Sequence, residues 1–194
     1  MSRTLSQPAR LALEVKKSRF IALAEHCSSE PSAKAFLNRV SVPDATHNCW
    51  AWKSGQQYRF DDDGEVGGTA GRPILAAIEN QGMDQVAVVV VRHYGGIKLG
   101  TGGLARAYGG AAAECLRTAA AHPLIEMVSF SVALPFDLLA VAHQIIDRHD
   151  ASKAAENYSS SGVEFRIKCP RSQLAAVQQD FNDVSAGQAV IKLD

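Results

Sequence analysis

The sequence predicts an α+β protein of two domains, a glycine-rich β-α domain over residues 1–122 and a ferredoxin-like βαββαβ sandwich over residues 123–194. Three observations lead there. The length, 194 residues, allows one large domain or two small ones. Thirteen of the fifteen glycines fall between positions 55 and 110, so a unit with special backbone needs precedes a plainer one. The plain half then alternates strand-like and helix-like segments in the order β-α-β-β-α-β, the split arrangement of ferredoxin-like domains.

In chain order, residues 19–27 read as a strand, and Pro31, tolerated in a first helical turn, opens a helix through residue 40. Residues 47–53 and 57–60 are rich in aromatics and read as paired strands around Ser54, Gly55 and Gln56. Pro73 opens a helix over 74–81 that Gly82 stops. Residues 85–92 hold a run of β-branched valines without polar alternation, a strand buried on both faces. The loop 93–102 leads into a long helix to about residue 120, and 119–123 reads as a linker. Beyond it come a strand (125–134), a helix (137–149), two strands (152–158 and 163–169), a helix (171–183) and a last strand (188–193).

Composition bounds the function. With 46% hydrophobic and 21% charged residues the chain is built to fold rather than to stay disordered. Twenty basic residues balance twenty acidic ones, which excludes a polycation of the histone type. Through Glu126 there are fourteen basic and twelve acidic residues, and beyond it six and eight, too small an asymmetry to identify a partner. The longest apolar run, 86–91, is far short of the ~20 residues of a membrane helix. No basic stretch followed by an apolar run opens the sequence, so a cytoplasmic location without membrane attachment is the expectation. Cysteines 27, 49, 115 and 169 contain no Cys-x-x-Cys pair, which points to free thiols, no metal site and no disulfide framework.

The segment 92–103, RHYGGIKLGTGG, has the most chemical potential. Its five glycines let backbone amides turn toward a ligand, a helix start adds partial positive charge, and Lys98 adds a full one, which together favour a phosphate or another anion. Close packing of helix on strand would use the same glycines. The P-loop pattern is absent. GTGGLA at 100–105 matches the dinucleotide pattern only loosely, since it starts eight residues after the strand and no acidic residue lies between Glu114 and Glu126 to meet a ribose. No cofactor is expected. Asp62, Asp63 and Glu65, with Asp61, form the densest acidic cluster. They could act as acid or base in an enzyme, but acids that cap nearby turns and offset arginines explain the cluster more simply. Cys49 with His47 and Asp44 makes a close Cys-His-acid set, and its place beside Trp50 and Trp52 reads as a buried structural thiol. Lys53, Arg59, Arg72, Arg92, Lys98 and Arg106, interleaved with His93 and Tyr94, supply charge and rings for RNA backbone and bases, or a solvated face.

DDGEVGGTAGRPI (62–74) and VVVVRHYGGIKLGTGGLARAYGGA (88–111), with KKSRFIA (16–22) and HNCWAW (47–52) in matching order, closely resemble the signature of the Impact/YigZ family. The sequence departs at His93, where two aromatics usually follow the arginine, and at Val66, where the family has proline. The resemblance implies a first domain like the second domain of a small-subunit ribosomal protein, a shape shared with domain IV of elongation factor G. It implies a C-terminal domain like that factor's domain V. Eukaryotic relatives regulate translation by competing for the ribosome-associated activator of an amino-acid-starvation kinase. The expected function is RNA or ribosome binding that tunes translation. Arg72, Arg92, Lys98 and Arg106 would meet phosphates, His93 and Tyr94 would stack, and the amides of Gly95, Gly96, Gly100, Gly102 and Gly103 would approach the backbone. The alternatives are an enzyme for a small phosphorylated or peptide-like substrate using Asp62, Asp63 or Glu65, and a module that binds only a regulatory protein.

Overall fold

A computed structural model describes residues 2–193, which fall into two compact units, one up to Leu124 and one from Ile125 onward. The first unit runs β1 (Arg3–Leu5), β2 (Ala9–Val15), β3 (Ser18–His26), α1 (Glu30–Val40), β4 (His47–Ser54), β5 (Gln57–Asp61), α2 (Gly71–Asn80), β6 (Val86–His93), α3 (Thr101–Thr118) and β7 (Ala121–Pro123). Five strands form an antiparallel sheet in the order β2-β3-β6-β4-β5.

The valine run explains the layering. In β6, Val86, Val88 and Val90 enter a core shared with α2 and α3, while Ala87, Val89 and Val91 enter a second core with Phe36 and Leu37 of α1. Helices therefore cover both faces, and each side chain of the run leaves water. Helix α1 starts where Ser29 and Ser32 cap each other's amides, with Pro31 in the first turn. The indole of Trp52 is buried under α1 and donates to the Cys27 carbonyl at 2.8 Å.

Three strands of this unit are absent from the sequence-based expectation. Strand β2 precedes residue 19 and pairs along its whole length with β3. The segment 119–123 is no linker, because Ala121–Pro123 is β7 and pairs antiparallel with β1. Strand β1 is also tied to the turn after α2, through the Arg3 amide to the Gly82 carbonyl and the Asp84 amide to the Arg3 carbonyl.

The second unit runs β8 (Met127–Leu134), α4 (Leu139–Arg148), β9 (Ser152–Tyr158), β10 (Val163–Pro170), α5 (Leu174–Val184) and β11 (Val190–Leu193), with a single 3₁₀ turn before each helix. Its sheet is antiparallel in the order β11-β8-β10-β9. That is the expected ferredoxin-like sandwich. Phe130, Val132, Phe165 and Ile167 from the strands and Ile145, Ile146, Val177 and Phe181 from the helices build its core.

Candidate nucleic-acid interface

Strands β2 and β3 are joined by Lys16 and Lys17 alone, both with positive φ (46° and 66°), the left-handed geometry of a tight hairpin turn. The glycine-rich loop leaves β6 against that turn. The Tyr94 amide donates to Thr46 Oγ1 at 2.9 Å and the Gly95 amide to Ser18 Oγ at 3.1 Å. Gly95 rests so closely on the turn that a Cβ would lie 2.0 Å from the Lys17 carbonyl oxygen. From there the backbone stands open. Helix α3 begins after Gly100 with no side-chain cap, and its first helical bond is the Leu104 amide to the Gly100 carbonyl. Among the described residues, no amide from Gly96 to Gly103 has an acceptor within the protein. Unpaired amides at a helix start carry partial positive charge.

Cations surround this stretch. Lys16 and Arg106, with Val15, Leu99, Gly103 and Ala107, line a shallow pocket of about 220 Å³ at the start of α3. Lys98 and Lys17 are exposed on the loop and on the turn, and the Tyr94 ring is 46% exposed. Lys16 and Lys17 lie outside the phosphate set that the sequence predicts. Two lysines between alternating apolar segments were the available signal, and a turn lacking glycine and asparagine hid it.

Other expected residues lie elsewhere. Arg92 is a correction to the expected phosphate set: it is 5% exposed, with Nη1 2.5 Å from Oε2 of Glu65. Its guanidinium lies against the Phe20 and Tyr94 rings, at 5.6 and 5.4 Å from their centroids, and Nε has no partner. The same Glu65 oxygen accepts from the Tyr108 hydroxyl at 2.9 Å and lies 3.7 Å from His47 Nε2. Burial, with Cys49 and Glu65 as neighbours, pushes the Tyr108 hydroxyl well above its ordinary pKa. Burial pushes the Cys49 thiol up to about 12, far from a nucleophile's range. Arg72 is exposed in the first turn of α2, beside the end of β5, and His93 is half-buried at the end of β6.

The acidic loop, unlike the glycine loop, is closed on itself. Asp62 accepts from the amides of Gly68, Ala70 and Gly71 at 2.7–3.0 Å. Burial alone would raise its pKa, and these three bonds outweigh that and lower it. Asp63 accepts from the Asn48 amide at 2.5 Å, and the amides of Glu65 and Thr69 bond within the loop. Asp62 and Asp63 thus hold backbone, and Glu65 holds Arg92. Among the described residues, no group of three His, Cys, Asp or Glu could hold a metal ion, and no helix is long and apolar enough to cross a membrane.

The Impact N-terminal domain family matches residues 16–116, and a domain of unknown function, DUF1949, matches residues 132–188. An "IMPACT family member in pol 5'region" of Thermus thermophilus is 47% identical over 156 residues, covering 80% of this chain and 86% of that protein. The "IMPACT family member YigZ" of Escherichia coli is 36% identical over 187 residues, covering 93% and 91%. A crystal structure described only as that of a hypothetical protein superposes with a TM-score of 0.73 at 33% identity, over 98% of this chain and 96% of that one.

Proposed function

The chain belongs to the Impact family, and from that premise we propose that it is an RNA- or ribosome-associated binding protein that tunes translation. The observation that carries the proposal is the run of amides from Gly96 to Gly103, open to solvent beside Lys16, Lys17, Lys98 and Arg106. Amide donors and fixed cations spread along one surface fit a chain of phosphates better than a single small anion in an enclosed pocket. Tyr94 adds an exposed ring at the same surface. The acidic loop gives the enzyme reading no comparable support, since its carboxylates already serve backbone amides and Arg92.

Co-sedimentation with ribosomes and their subunits across a salt series tests this. The wild type is expected to pellet at about 50 mM salt and to be released as salt rises, with log affinity falling by ~0.7–0.9 per phosphate contact for each decade of salt. A Lys98→Ala/Arg106→Ala variant is expected to stay in the supernatant. A wild type that stays in the supernatant at low salt overturns the proposal. A complex that survives nuclease treatment and ribosome removal makes the protein an interaction module instead.

A further inference from the structure

Strand β5 is the end strand of the five-stranded sheet and is exposed at every position. It carries Tyr58 and Phe60, 50% and 40% exposed. In the β4–β5 ladder, Tyr58 stands opposite Lys53 and Phe60 opposite Ala51. Directly opposed residues share a face of the sheet, and Ala51 belongs to the core under α2 and α3. Both rings therefore project on the α2 side, two residues and so about 7 Å apart. Among the described residues, neither ring makes a ring–ring or cation–ring contact.

Three cations lie around them. Arg59 sits between the rings in sequence, on the opposite face, with its side chain 60% exposed. Lys53 lies across the ladder from Tyr58, and exposed Arg72 follows Gly71, which rests on the Asp61 backbone at the end of the strand. The nearby acids are engaged, Glu30 with Lys34 and Arg59, and Asp61 with the Asp63 amide. Two unpartnered rings at alternate strand positions, with Lys53 across the ladder and Arg72 beyond the strand end, match what an unpaired nucleic-acid strand requires: flat faces for successive bases and positive charge for the phosphates between them.

We propose that β5 is a second contact surface for single-stranded RNA, with bases stacking on Tyr58 and Phe60. The inference rests on the RNA reading above and adds to it a second pair of side chains that would hold bases, on a different edge of the same sheet. Stacking releases no counterions, so its removal lowers affinity without changing salt dependence, whereas loss of Lys98 and Arg106 lowers both.

Fluorescence anisotropy of a labelled oligouridine, titrated with the full chain across a salt series, tests it. Tyr58→Ala and Phe60→Ala are each expected to weaken binding about 10-fold with an unchanged salt slope, and Tyr58→Phe/Phe60→Trp to bind like the wild type. Both rings are exposed, so circular dichroism of the variants is expected to match the wild type. Wild-type binding that the double alanine variant retains overturns this inference and leaves the glycine-loop reading intact. An equal loss on double-stranded RNA, whose paired bases offer no free face, also overturns it. So does a dimer that the same substitutions abolish without affecting oligouridine. If the wild type binds neither oligouridine nor ribosomes, both proposals fall.

Discussion

Arg92 and Lys98 belong to the same signature and do opposite things, because one continues a strand's alternation and the other has left it. Val86, Val88 and Val90 point into the core under α2 and α3, so Arg92 follows their parity to the side where Glu65 and Tyr108 wait. A guanidinium placed there needs a counter-charge, and removing one partner of such a buried pair costs about 3–5 kcal/mol. Lys98 stands in open loop and keeps its charge for a partner outside. The parity of Arg92 was readable in the sequence once the strand was recognised, whereas its partner, 27 positions away, was not. Asp62 acts by charge on the acidic loop that carries Glu65. Its carboxyl titrates below its ordinary value because the three amide bonds outweigh burial. The ionised form thus stabilises the fold above the ordinary aspartate pKa of about 3.9, and that contribution is lost as pH falls through the lowered value. Urea unfolding at a series of pH values is expected to show the Asp62→Asn variant furthest below the wild type near neutrality, with the gap closing as pH falls below about 3.9. A gap that stays constant would mean that the charge does not hold the loop.

At the level of elements, the β2–β3 hairpin trades stability for charge. Both turn residues occupy the left-handed region, where a non-glycine residue costs roughly 1–2 kcal/mol and Asn-Gly is the favoured pair. Lysines there present two cations beside the glycine loop, and Gly95 locks the turn in place by its close approach. Lys16→Asn/Lys17→Gly is expected to raise stability by about 1 kcal/mol in denaturant unfolding. The same variant is expected to flatten the salt dependence of RNA binding by up to ~2 phosphate contacts. Increased stability with an unchanged salt slope would remove these lysines from the interface. Strands β1 and β7 were invisible in the sequence because three residues give no period to detect, and their pairing joins segments more than a hundred positions apart.

At the level of the molecule, each unit has its own hydrophobic core: the two faces of the valine strand in one, and the phenylalanines of β8, β10 and α5 in the other. Phe165→Ala, at a fully buried position, is expected to cost about 3–5 kcal/mol. Amide exchange is expected to accelerate in β8 and β10 and to stay unchanged in β6. Faster exchange in β6 would show that the units unfold together. The sequence by itself determined the two-unit α+β architecture, the doubly buried strand and the order of the C-terminal elements, because hydrophobic period, glycine placement and proline stops act locally along the chain. Only the tertiary structure decided which glycine-rich loop stands open and which is closed, that Glu65 is the partner of Arg92, that two lysines join the loop from a hairpin turn, and that Tyr58 and Phe60 share a free edge. Those outcomes depend on which distant groups meet, and a hydrogen bond or an ion pair between remote residues leaves no periodic trace in the residues that make it.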